Sequence, residues 1–65
     1  MPKYPNIEVQ LTGTDGNAFA IIGKVKKELQ KNKVSKEETD TFISEAMSGN
    51  YNNVLITCMN WVNVS

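Results

Sequence analysis

The sequence predicts an α+β domain in the order β-α-α-α-β. Three observations carry this reading. Positions 7–11, Ile-Glu-Val-Gln-Leu, alternate apolar and polar, as a half-buried strand does. Positions 18–59 place apolar residues three and four apart, with two breaks. Positions 61–65, Trp-Val-Asn-Val-Ser, alternate again. A lone strand at each end is unstable, so the two are expected to pair, antiparallel, with the three helices packed on one face.

Residues 1–5 read as an extended N-terminal tail held by Pro2 and Pro5, and 6–65 as the single domain. In the first strand Ile7, Val9 and Leu11 face the core, and Glu8 and Gln10 face water. The strand then meets Gly13-Thr14-Asp15-Gly16-Asn17. The two glycines permit a tight turn, and Asp15 or Asn17 can cap the helix that follows. In that helix Ala18, Ile21, Ile22, Val25 and Leu29 form the buried face, flanked by Phe19. Lys24, Lys27, Lys31 and Glu28 lie opposite. Gly23 costs about 1 kcal/mol in a helix interior relative to Ala, which suggests close approach of a neighbouring element.

A break at 31–34 leads into Ser35-Lys36-Glu37-Glu38, a capping box with Ser35 as N-cap. Phe42, Ile43, Ala46 and Met47 are expected to be buried, with Glu37, Thr41, Ser44 and Glu45 wet. Gly49 is placed as the residue after the helix end. Asn52 or Asn53 is expected to cap the third helix, where Tyr51, Val54, Leu55, Cys58, Met59 and Val62 recur at helical spacing. The final strand would set Val62 and Val64 on one side and Trp61 on the other.

Composition narrows the function. The chain has 65 residues, one cysteine, no histidine and zero formal net charge. An internal disulfide is impossible, and a structural zinc site lacks ligands. All the basic residues are lysine, so bidentate arginine reading of bases or phosphates is absent, and zero net charge argues against dedicated DNA binding. No apolar run approaches transmembrane length and no signal-peptide core opens the chain, so a reduced cytoplasmic setting without membrane contact is expected.

Three candidate sites follow. The turn of Gly13, Thr14, Gly16 and Asn17 lies between strand and helix, where free amides bind anions. Its spacing matches neither phosphate-loop nor dinucleotide motifs, and Asp15 would repel an anion. Lys24, Lys27 and Lys31 form a basic stripe, usually a solvated face, although contact with RNA or an acidic protein stays open. From Ala46 to Ser65 no side chain carries a formal charge. Interface centres are poor in charge and rich in aromatics and Met, which makes Tyr51, Met59 and Trp61 candidate interface residues. Trp61 either caps the core or stands exposed as an anchor. Cys58 reads as a buried structural thiol. No nucleophile–base pair or metal set is visible, so no enzyme activity and no cofactor are expected. The partner is expected to be protein, either a second copy or another chain.

The run Leu11-Thr12-Gly13-Thr14-Asp15-Gly16-Asn17-Ala18-Phe19, together with Cys58-Met59-Asn60-Trp61-Val62-Asn63-Val64, resembles a family of small uncharacterised bacterial and phage-borne proteins. The resemblance covers nearly the whole chain. It implies a cytoplasmic single-domain protein and supplies no catalytic residue.

Overall fold

The computed structural model describes residues 2–11 and 17–65. It contains β1 (Tyr4–Val9), α1 (Ala18–Lys31), α2 (Lys36–Ala46), α3 (Tyr51–Trp61) and β2 (Val62–Val64). The element order is the expected one.

The strands form a two-stranded parallel sheet, which corrects the antiparallel expectation. A short hairpin can close an antiparallel pair. Here the whole helical layer separates the strands, and that is the crossover connection parallel pairing requires. The ladder extends past both strand ends. The Lys3 amide donates to the Asn60 carbonyl at 2.8 Å, the Ser65 amide to Val9 at 3.0 Å, and the Leu11 amide to Ser65 at 2.9 Å. Pairing jumps from Tyr4↔Val62 to Glu8↔Asn63. Pro5, which has no N–H to offer, falls in that irregular stretch. Lys3 and Tyr4, read from sequence as part of a tail, are docked against the rest of the chain.

Ile7 and Val9 of β1 meet Ile21, Ile22, Val25 and Leu29 of α1 in one core. Phe42 and Ala46 of α2, Val54, Cys58 and Trp61 of α3, and Val62 complete it. Asn17 caps α1, its side chain accepting from the Phe19 amide at 2.8 Å. At the other end the Val34 amide returns to Leu29 and the Lys33 amide to Gln30, both at 3.0 Å. This crossed pair ends a helix by turning one residue left-handed. That residue is Lys33, at φ 64°. Gly23 sits exposed with nothing within 4 Å of where a Cβ would stand, so the expected close approach is not what it serves.

Ser35 caps α2 as expected, its Oγ accepting from the Glu38 amide at 3.2 Å. Met47 is exposed rather than buried, because α2 ends at Ala46 and Met47 is the cap residue beyond it. The link to α3 departs further from expectation. Asn50, not Asn52 or Asn53, is the N-cap, accepting from the Asn53 amide at 3.0 Å. The Asn53 side chain instead turns back to α2, where its Nδ2 donates to the Glu45 carbonyl at 2.9 Å and the Ala46 carbonyl at 3.3 Å. One asparagine thus adds donors to the last carbonyls of the preceding helix, where Glu45 also accepts from the Ser48 amide and hydroxyl. Gly49 makes room for it. A Cβ there would lie 2.9 Å from the Asn53 Cβ, so Gly49 serves close approach across this link.

Lys33→Gly should stabilise the domain by about 1 kcal/mol, because a left-handed residue with a Cβ costs about that much. For a chain of this size that raises Tm by roughly 4–8 °C, read by thermal unfolding. Trp61→Ala should cost about 3–5 kcal/mol and Trp61→Phe distinctly less, read by urea denaturation.

Candidate functional site

Of the three sequence candidates, the turn falls mostly outside the described residues: Gly13, Thr14 and Gly16 lie there. Asn17 is described, and its carboxamide oxygen is engaged as the α1 cap. Lys24, Lys27 and Lys31 are exposed on the solvent side of α1, at helical spacing. Lys31 lies in the last turn, where a cation complements the helix dipole.

The third set divides. Trp61 is 4% exposed and belongs to the core, so it does not stand out as an anchor. The reason lies in where α3 ends. The helix runs through Trp61, which places it one turn after Thr57 and Cys58 on the inward face, instead of on the far side of a strand. Phe42 meets the indole edge-on, with centroids 5.7 Å apart at 68°, and Tyr4 lies 6.0 Å away at 31°. The indole Nε1 donates to Glu45 Oε1 at 3.0 Å, which satisfies a polar atom that burial would otherwise penalise. Lys3 Nζ stands 4.6 Å from the ring centre and 2.8 Å from Glu38 Oε2. The hydrogen bond to Glu38 raises the Lys3 pKa above its ordinary value, against a smaller opposing effect of desolvation.

Tyr51 and Met59 do reach the surface, at 42% and 52% exposure, and Ile56 joins them at 52%. Ile56 escaped the sequence reading. The apolar set chosen there, from Tyr51 through Met59, is wider than one helix face. Val54, Thr57, Cys58 and Trp61 take the inward side. Ile56 stands opposite Val54 and Cys58 and three residues before Met59, so a finer angular count could have found it. Asn52 and Asn60 are exposed on the same helix. The outer surface of α3 is therefore apolar and amide-rich, without a charge.

Cys58 is fully buried and not disulfide-bonded. Desolvation pushes its thiol up to about 11, so it is protonated and weakly nucleophilic at neutral pH. Among the described residues no three His, Cys, Asp or Glu side chains gather as a metal set, no pocket opens, and no helix is long and apolar enough to cross a membrane. Comparison with known protein families, curated proteins and solved structures finds no match.

The Cys58 shift sets a pH dependence. Its pKa is raised in the folded state, so its contribution is intact below the ordinary value of 9.0 and is lost as pH rises toward about 11. The two-unit difference is about 2–3 kcal/mol. Stability of the native chain should fall across that window more steeply than that of Cys58→Ala, read by urea titrations at successive pH values.

Proposed function

We propose that this chain is a non-catalytic protein-interaction module. Its contact surface is the outer face of α3, and a second copy of the chain is the partner. The observation that carries the reading is the exposure of Tyr51, Ile56 and Met59 on a helix with no formal charge. Large apolar side chains grouped on one helix cost solubility when left in water. They gain about 25 cal/mol for each Å² covered. Lack of charge means two such faces meet without desolvating ions or opposing like charges. The cytoplasm is the proposed setting.

A second reading rests on a different observation, the exposure of Lys24, Lys27 and Lys31 along one side of α1. In it the chain is an accessory protein that holds phosphate, a small anionic ligand or RNA through these lysines and the turn at Gly13, Thr14, Gly16 and Asn17. Binding of that kind weakens steeply with salt, whereas contact through α3 does not.

Sedimentation equilibrium over a wide concentration range separates them. The native chain should move from monomer toward dimer as concentration rises, with little effect of salt. Ile56→Glu combined with Met59→Glu should raise the dissociation constant at least tenfold, about 1.4 kcal/mol. A chain that stays monomeric throughout, or a double variant that associates like the native chain, counts against α3 as the contact surface.

A further inference from the structure

The sheet leaves one edge open. Ser65 directs both its amide and its carbonyl at β1, through the bonds to Val9 and Leu11. Backbone groups alternate along a strand, so the N–H and C=O of Val64 point the other way, to the outer edge of β2. Among the described residues no strand covers that edge. The outer edge of β1 is different. That strand contains Pro5 and the charged Glu8, and its register is irregular between Tyr4 and Glu8. Charge, proline, broken register and very short length are usual means of keeping a strand edge from pairing. β2 has only the last of these, at three residues.

We propose that two copies of this chain join through β2, the strands pairing antiparallel about a two-fold axis at Val64, so that the two sheets become one. The proposal rests on the interaction reading above and names how the two copies meet.

The choice of a second copy follows from symmetry and charge. An edge strand paired antiparallel with its own copy needs no other complementary sequence, because a two-fold makes one patch fit itself. With the axis at Val64, each copy donates its Val64 amide to the Val64 carbonyl of the other. Every side chain from Ala46 to Ser65 is uncharged, so the strand itself brings no charged side chains to the axis. Pairing through β1 would instead bring the Glu8 carboxylates of the two copies together.

The helices favour the same axis. α3 passes directly into β2, so its last turn lies at the start of the strand with the open edge. The Asn53 flank of α3 faces α2, which leaves the flank of Leu55 and Met59 turned away from α2. A stable interface takes roughly 800 Å² from each partner, about a fifth of the 4258 Å² surface of this chain. A three-residue strand cannot supply that alone, so exposed apolar side chains of α3 must take part in the same contact.

The test is removal of one outward N–H. Chemical synthesis of the chain with Val64 N-methylated deletes that donor and leaves the amides of Asn63 and Ser65 for β1. Sedimentation equilibrium should show the dissociation constant raised at least tenfold, with Trp61 emission still that of a buried indole. Hydrogen exchange of the unaltered chain gives a second measure, valid even if the methylated chain misfolds. The Val64 amide should become protected as concentration rises. If methylation leaves association unchanged, or Val64 exchange is independent of concentration, pairing through β2 is overturned. The α3 reading still stands in that case if Ile56→Glu with Met59→Glu weakens association. A native chain monomeric at every concentration overturns both.

Discussion

The fold depends on the seating of Trp61. Its indole reaches the N-terminal segment through Lys3 and Tyr4, and α2 through Phe42 and Glu45. It also sits where α3 passes directly into β2. The large apolar area of the ring makes the site favourable to bury, and the single N–H makes it demanding. Glu45 meets that demand. The constraint then propagates in both directions. With Trp61 fixed, Val62 leaves the helix already extended and lies beside β1. With Tyr4 held against the ring and the Lys3 amide bonded to Asn60, β1 starts in register with it.

The stretch from Ala46 to Ser65, without a charged side chain, is built with amides where many domains use ions. Asn50 caps α3, Asn53 closes the end of α2, and Gly49 admits the Asn53 side chain between them. Asn32 donates in the same way to the Glu28 carbonyl at 2.8 Å near the end of α1. A carboxamide carries both a donor and an acceptor, so it satisfies helix ends of either polarity at no cost in net charge. The consequence is a surface from α3 to β2 that is neutral by construction. Asn52, Asn60 and Asn63 remain exposed on it beside Ile56 and Met59. Charge meets this stretch at Trp61, where Glu45 accepts from the indole and Lys3 lies over the ring.

Legibility differed from element to element for physical reasons. The α1 face of Ile21, Ile22, Val25 and Leu29 and the Ser35 cap were readable because they depend on neighbours within a turn. Met47 and Asn53 were misread because their environments come from where a helix stops or what lies across a link, and Gly23 because it faces solvent and packs against no neighbouring element. Cys58 read correctly as buried, since it lies centrally on the inward stripe of α3. Of the candidate interface residues, Tyr51 and Met59 stand at the surface. For Trp61, which the sequence left either capping the core or exposed, the structure has the core, because α3 continues through the first residue of the alternating run 61–65. Ile56 was missed for the complementary reason, as one of several apolar residues on a helix too apolar to show its outward side at a glance.

By itself the sequence determined the number, type and order of the elements, the capping of α2 and the absence of charge beyond Glu45. Those follow from local periodicity and composition, which act over a few residues. Only the tertiary structure decided that the strands run parallel, that the indole of Trp61 turns inward to Glu45 and Phe42, and that Ile56 stands outside. These outcomes are set by contacts between residues far apart in the chain. Strand direction in particular depends on the path of three packed helices, and no alternation of side chains along either strand records it.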